Sequence, residues 1–282
     1  KLTIEVRAHD ATGAPGDDVL LPFWPQSTFD WRQAVLYMVM TDRYRNGDPS
    51  NDRHTADAAP GADFTGGDLQ GIAQSIDDGT IPSLGVNTLW ISPFNTNPDG
   101  TYLDADGTHR VSGYHGYWPI APREVDARYG GPDALHALVR TAHLHGIRVL
   151  MDLVVNHVHE QHPYFRDHPD WFNTGCVCGT SGCDWTEHRL DCLFQPYLPD
   201  VNWTVPAANE QLLADALWWM EEYDLDGFRV DAVKHVADSA ITNLGTLARE
   251  RFETAGTRVF LMGETAMGWD ASSGPDAGGN VE

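Results

Sequence analysis

From residue 34 onward the sequence alternates short runs that are apolar at nearly every position with stretches whose apolar residues recur every three or four positions. A strand that is apolar on both faces must be covered on both, so runs of this kind belong to a parallel sheet with helices packed against it. The five runs are residues 34–40 (AVLYMVM), 87–91 (NTLWI), 148–155 (RVLMDLVV), 227–233 (GFRVDAV) and 259–263 (VFLMG). Between the first two, Leu69, Ile72, Ala73 and Ile76 share a helical face behind Asp68 as N-cap. Leu135, Leu138, Val139 and Ala142 share another, opened by Pro132 and stopped by Gly146. Leu213, Ala216, Leu217 and Met220, then Ile241, Leu244, Leu247 and Ala248, mark two more.

Alternation alone admits an open doubly wound sheet or a closed barrel. Two long interruptions favour the barrel. Residues 92–130 are a long aromatic loop after the second strand, and residues 157–205 are an irregular insertion rich in Cys, His and Trp after the third. Both follow strand C-termini, where a (β/α)8 barrel builds its active site. The expected fold is therefore α/β: the N-terminal five strands of a (β/α)8 TIM barrel. Its first part covers 18–156, the insertion 157–205, and the continuation 206–282. Ahead of it, Leu2, Ile4 and Val6 alternate as in an edge strand, and Asp10 to Asp17 is rich in Gly, Pro and Asp. Residues 1–17 thus read as the tail of a preceding β domain, or an extension, plus a linker. With five strands counted and no initiator Met, the chain reads as a piece of a longer protein, expected not to work as an enzyme alone. Its tail, 271–282, reads as the start of the loop after strand five.

Polar residues gather at the ends of these same strands. Asp152, Asn156 and His157 close the third, Arg229, Asp231, Lys234 and His235 lie on the fourth, and Glu264 follows the fifth. Charges within apolar strands are costly unless paired or functional. Three successive strands carrying them at one end point to a site rather than to separate buried salt bridges. Two carboxylates on neighbouring strand ends, Asp231 and Glu264, suit retaining glycoside hydrolysis. One attacks the sugar carbon and the other protonates the leaving oxygen, at a separation of about 5–5.5 Å. Arg229 precedes Asp231 by two residues and so shares its face of the strand, where a guanidinium would hold it ionised. Glu264 must keep its proton, which requires a raised pKa.

DLVVNH (152–157), GFRVDAVKH (227–235) and MGET (262–265) resemble three of the four signature regions of the α-amylase family, glycoside hydrolase family 13, in family order. The similarity runs from about Ala34 to the C-terminus. It implies Asp231 as nucleophile, Glu264 as acid/base and Arg229 as orienter of the nucleophile, with the insertion as the family's B domain. It also implies that His115 and His157 bind the sugar at the cleavage point, and Asp152 joins these substrate-binding residues. Tyr117, in SGYHGYW (112–118), is expected to stack on a glucose ring. Lys234 and His235 match positions that touch leaving-side sugars in α-1,4-specific members. The family's third catalytic Asp follows an Asn-His pair on strand seven, beyond the residues given.

Calcium is expected at two places. NGDPSND (46–52) offers Asn46, Asp48, Asn51 and Asp52 in one turn, and clustered hard oxygens suit Ca2+; the alternative is a solvated acidic turn. The resemblance, to cyclodextrin glucanotransferases and related bacterial amylases, adds the Gly66 carbonyl and Asp68. It implies a second site from Asn156, Asp200 and the His235 carbonyl. Cys176, Cys178, Cys183 and Cys192 are the chain's four cysteines. They read as two disulfides of an exported protein, in one of three pairings, or as a four-cysteine zinc site.

A formal net charge of −23 argues against nucleic acid or an anionic membrane surface as partner. No run reaches the roughly 18 apolar residues of a membrane span. Only Lys1 and Lys234 occur against 16 Arg, so a specific role for the Lys234 ammonium is expected. His143 and His145 read as surface residues, and the Trp218–Trp219 pair as helix packing. The function expected is retaining hydrolysis of α-1,4 bonds in starch-like glucans by a secreted, extracellular, monomeric enzyme. A glucanotransferase and a catalytically inactive glucan-binding relative are the alternatives. A nucleotide-binding protein is disfavoured, because no Gly-rich phosphate loop follows a strand.

Overall fold

The computed structural model describes residues 1–25, 29–265, 269–270 and 274–275. Most of the tail expected to begin the loop after strand five therefore lies outside the described residues. The chain opens with an antiparallel hairpin, β1 (Leu2–Val6) and β2 (Val19–Phe23). There follow β3 (Leu36–Val39), α1 (Thr41–Tyr44), α2 (Leu69–Asp77), β4 (Thr88–Ile91), a small hairpin β5 (Thr101–Leu103) and β6 (Arg110–Ser112), α3 (Gly131–Leu144) and β7 (Arg148–Leu153). The insertion holds α4 (Pro163–Asp167) and the short pair β8 (Phe172–Asn173) and β9 (Asp200–Val201). Then come α5 (Pro206–Tyr223), β10 (Gly227–Val230), α6 (Asp238–Phe252) and β11 (Phe260–Gly263).

Five of these strands form one parallel sheet in the order β3, β4, β7, β10, β11. Each expected run supplies one strand. The central strand β7 is buried at every position, and Leu89, Ile91, Val149, Phe228 and Val230 are all but inaccessible. The helices cover the sheet as their periodicities predict: Leu69, Ile72 and Ile76 of α2 and Leu135, Leu138 and Ala142 of α3 share its core. Asp68 caps α2 by accepting from the Gly71 amide at 2.6 Å. Trp219 is buried and donates to the Pro122 carbonyl at 3.0 Å, a packing role as expected.

Two details differ from the sequence reading. Residues 10–17 are the connection of the β1–β2 hairpin rather than a linker between domains. Asp10 holds that turn by accepting from the Thr12 and Ala14 amides. The hairpin is tied to the sheet's N-terminal end: Lys1 Nζ donates to the Asp224 and Leu225 carbonyls and pairs with Asp226 at 3.3 Å, and Arg251 pairs with Asp18 at 2.8 Å. The second difference is His143, whose buried ring pairs with Asp226 at 2.9 Å, while His145 stays partly exposed as expected. The sequence around His143 could not show that Asp226, just before β10, and Trp24 meet it.

The insertion is held by two disulfides, Cys176–Cys183 and Cys178–Cys192. The zinc alternative fails, because no cysteine is left as a free thiol.

Candidate active site

The strand ends that carry the charged residues sit side by side because β7, β10 and β11 are neighbours in register, with Asp152 opposite Arg229 and Arg229 opposite Met262. Arg229 is the hub. Its Nη1 donates to Asp152 Oδ1 at 2.6 Å and to Asp231 Oδ1 at 2.5 Å, and its Nη2 reaches Glu264 Oε2 at 2.9 Å. One guanidinium thus faces three carboxylates, two of them buried; Glu264 is the exposed one, at 43% of its side-chain surface. The amide of Ala232 also donates to Glu264.

Asp152 is fully buried, and its second oxygen accepts from Trp90 Nε1 and Tyr117 Oη, both at 2.8 Å. Three donors make this the most rigidly held carboxylate in the cluster. No part of it is exposed, so it reaches the cleft only through the groups it holds, which differs from the direct substrate contact expected of it. Burial raises its pKa and Arg229 opposes that rise. Burial likewise pushes Asp231 up to about 7, Asp152 and Glu264 add to the push, and Arg229 pulls it down. The expectation that Arg229 alone keeps Asp231 ionised therefore leaves out desolvation and the neighbouring carboxylates.

The aromatic loop folds over this cluster. His157 Nε2 donates to the Tyr117 carbonyl at 2.9 Å, and the Tyr117 amide donates to His115 Nδ1 at 3.0 Å. Burial lowers His115 to about 3 and His157 to about 4, so both rings are neutral hydrogen-bonding groups at neutral pH. A cleft of about 510 Å³ is lined by Asp231, Glu264, Arg229, His157, Lys234 and His235, together with Trp185 and Phe194 from the insertion. It shares Tyr117 and Trp118 with an adjoining hollow of about 680 Å³ that contains His115. All the expected catalytic and substrate-binding residues therefore converge on one connected surface, Asp152 from beneath it.

Residues 38–258 match the family profile of the alpha amylase catalytic domain. The chain belongs to the alpha-amylase family. Its five parallel strands are the first five of that family's (β/α)8 barrel. It is 31% identical to a beta/alpha-amylase of Paenibacillus polymyxa over 85% of this chain and 19% of that protein. It is 28% identical to a cyclomaltodextrin glucanotransferase of a Bacillus species over 76% of this chain and 33% of that protein. An Anoxybacillus alpha-amylase structure superposes with a TM-score of 0.70 at 30% identity, covering 84% of this chain and 48% of that one. The chain thus spans about half the length of that solved relative, and less of the two curated ones.

Within the alpha-amylase family chain, two groups of oxygens could hold a cation. In the first, Asp68 accepts from the Gly47, Asp48 and Gly71 amides and from Asn51 Nδ2, and Asn46 Nδ2 donates to both oxygens of Asp52 at 2.9 Å. Asn51 Oδ1 is buried with no partner. Gly66, at φ +90°, closes the group: a Cβ there would meet Asp52 Oδ1 and Asn46 Nδ2 at 2.6 Å. A rotated Asn46 amide would turn its oxygen inward, an orientation fixed only by the surrounding hydrogen bonds. Asp48 turns its carboxylate instead to Ser50, accepting from its amide and hydroxyl.

In the second group, Asn156 Oδ1 is buried without a partner, and the buried Asp200 carboxylate accepts a bond from Asn173 Nδ2 at 2.8 Å. Burial pushes Asp200 up to about 8. The Val201 amide donates to the Asn156 carbonyl, and the backbones of His157 and Asp200 pair antiparallel, which brings these residues to one place. His235 lines the cleft together with His157, its Nδ1 donating to the Arg189 carbonyl at 3.0 Å. An orphaned oxygen beside a desolvated carboxylate is a donor set that suits a hard cation.

Sequence reasoning missed Trp90, Trp118, Trp185 and Phe194. Trp90 had a signal: it is the large polar-tipped residue in an otherwise aliphatic strand. The others are aromatic residues in loops, and only the fold shows which of those face a cleft.

Proposed function

We propose that the protein is a retaining glycosidase that cleaves α-1,4-glucosidic bonds in starch-like glucans. The observation that carries this reading is the pair of carboxylates, Asp231 and Glu264, on one guanidinium at the floor of an aromatic cleft. Asp231 attacks the anomeric carbon and forms a covalent glycosyl ester while the bond to the leaving oxygen breaks. Glu264 gives its proton to that oxygen, then removes one from the water that cleaves the ester. Glu264 suits this exchange because it is the carboxylate open to solvent, whereas Asp231 is held by Arg229 for in-line attack.

Neutral His115 and His157 offer hydrogen bonds to sugar hydroxyls without adding charge. The two connected hollows extend the cleft beyond a single sugar ring, which suits a polymer. The same residues would serve a glucanotransferase, in which a sugar hydroxyl replaces water in the second step, and the similarity to a cyclomaltodextrin glucanotransferase supports keeping that reading.

Calcium is part of the proposal. Asn46, Asn51, Asp52, Asp68 and the Gly66 carbonyl would hold one ion, Asp48 standing beside them. Asn156, Asp200 and the His235 carbonyl would hold another, tying the insertion to the strand ends. Bound Ca2+ supplies cross-linking charge there rather than reaction chemistry. The disulfides fit an oxidising, extracellular location.

The test is Asp231→Asn in the intact protein. Loss of at least about 1,000-fold in the rate on soluble starch, with an unchanged melting temperature, is expected. A variant keeping more than a few per cent of the rate would remove Asp231 as nucleophile.

A further inference from the structure

We infer that the insertion carries a thiol-gated metal site. Once its disulfides are reduced, Cys178 and Cys192 with His235, and Cys176 and Cys183 with His188, each bind a Zn2+ ion. The metal binding stands apart from the glycosidase reading; only its effect on rate rests on that reading.

In the oxidised chain all four cysteines are bonded in pairs, so a metal finds no thiolate. The side chains around those bonds are nonetheless arranged as ligand sets. The Cys178 and Cys192 sulfurs and a ring nitrogen of His235 all lie within 4.8 Å of one another, and so do the Cys176 and Cys183 sulfurs and a ring nitrogen of His188. Tetrahedral zinc, with Zn–S about 2.3 Å and Zn–N about 2.0–2.1 Å, sets its ligand atoms roughly 3.5–3.8 Å apart. Reduction lets the sulfurs part to that spacing, and the histidines then need to close by roughly 1 Å.

Both histidines are oriented as ligands. Metal-bound imidazole almost always donates its other N–H to a carboxylate or a backbone carbonyl. His235 Nδ1 donates to the Arg189 carbonyl at 3.0 Å, and His188 Nδ1 donates to Asp191 Oδ1 at 3.1 Å. Each ring therefore carries its lone pair on Nε2.

The cysteines keep their places without the bonds between them. The Cys176 carbonyl accepts from the Leu193 amide at 2.9 Å, and the Cys178 amide donates to the Leu193 carbonyl at 2.9 Å. The Cys183 amide donates to the Thr180 carbonyl at 2.9 Å, and the Cys192 amide to the His188 carbonyl at 3.0 Å. Arg189 fastens the loop to the end of the fourth barrel strand by donating to the Lys234 carbonyl at 2.9 Å. Reduction leaves all of these intact. Cys178, Cys183 and Cys192 are buried, where a thiolate is unfavourable unless a cation compensates it. Thiolate and imidazole select Zn2+ over Ca2+, which separates these sets from the oxygen groups described above.

The chemistry balances. A phosphine takes the oxygen of water, becomes the phosphine oxide, and leaves two thiols for each disulfide; each ion then displaces two thiol protons. The consequence falls on the cleft. His235 lines it with Asp231 and Glu264 and packs edge-on against Phe194 at 4.8 Å. Drawing its ring onto a metal moves one wall of the cleft, so filling the Cys178 set inhibits the enzyme.

The experiment reduces the intact protein with a phosphine, Ca2+ being present throughout, and titrates it with Co2+, whose bonds to thiolate absorb by charge transfer. Zn2+ is then added in competition. The reduced, folded protein should bind two ions per chain with that absorption, and the oxidised protein none. Cys178→Ala with Cys192→Ala should leave one ion, and His235→Ala and His188→Ala should each weaken one site by about tenfold or more. Zn2+ should slow the reduced protein on soluble starch by about fivefold or more, a chelator selective for Zn2+ over Ca2+ should reverse this, and the oxidised protein should be unaffected. Reduced, folded protein without the absorption overturns the proposal. So does absorption unchanged by the cysteine and histidine substitutions, disulfides that resist reduction until the protein unfolds, or loss of the fold on reduction. Binding without inhibition overturns the coupling to the cleft. A protein inactive on starch from the outset counts against the glycosidase reading, while the Co2+ titration still decides the metal site.

Discussion

Replacing Arg229 by Met keeps the length of the side chain and removes the one cation that, among the described residues, is bonded to Asp152 and Asp231. Both carboxylates are buried, at 0% and 11% side-chain exposure, and both lie within 2.6 Å of the same guanidinium nitrogen. Taking one partner from a buried ion pair costs about 3–5 kcal/mol, because the other charge stays buried. The variant can lower that cost by taking up a proton on one carboxyl, and burial already raises both pKa values while Arg229 is present, so the lower end of the range, about 3 kcal/mol, is expected where both carboxyls are ionised in the wild type. Glu264 adds little, because solvent screens it.

Proton uptake also fixes the pH dependence. Losing Arg229 raises the folded-state pKa of the buried carboxyls further, so the variant falls behind the wild type as pH rises past the wild-type Asp231 value of about 7. The gap should therefore be small at pH 5, where Asp231 is protonated in both proteins, and about 3 kcal/mol at pH 8, a melting-temperature gap of roughly 8 °C. Calorimetry of both proteins at the two pH values is the assay. An equal gap at pH 5 and pH 8, or one below about 1 kcal/mol at pH 8, would refute the assignment of Arg229 as the cation that compensates two buried carboxylates.

Three further outcomes are expected. Removal of bound metal with EDTA should lower the melting temperature and added Ca2+ should restore it, since a ligand of the native state stabilises by mass action; no change, with metal analysis showing none bound beforehand, removes both cation sites. Asp226→Asn should destabilise the protein at neutral pH. Although burial works against it, the pairing with Lys1 and His143 depresses the Asp226 pKa, so its contribution is present above about pH 4 and lost as pH falls below that. A gap between wild type and Asp226→Asn that widens on acidification contradicts this pairing. Thiol titration of the unfolded, unreduced protein should find no reactive cysteine, and four after reduction; reactive thiols before reduction contradict the pairs Cys176–Cys183 and Cys178–Cys192.

How far the sequence reveals this molecule depends on whether a feature is local. The five strands were legible because a doubly covered strand must be apolar at nearly every position, and α2 because Asp68 and its periodicity lie within one short stretch. Arg229, Asp231 and Glu264 were legible for a related reason: a charge in such a strand is costly enough that few functions other than a site retain it. What the sequence did not reveal comes from contacts between distant segments. His143 becomes buried because Trp24, 119 positions earlier, and Asp226, 83 positions later, meet it, and no periodicity in α3 carries that information. The cysteine spacing left the pairing open because the Cβ positions that decide it follow from the course of the loop. Trp185 is the clearest case. In the sequence it is one of ten tryptophans, and its distinction arises only when the disulfides fold residues 176–192 back onto the His235 end of β10. The three carboxylates bonded to Arg229 are thus encoded within or beside single strands, whereas the aromatic wall over them is encoded in how an irregular loop is fastened across the strand ends.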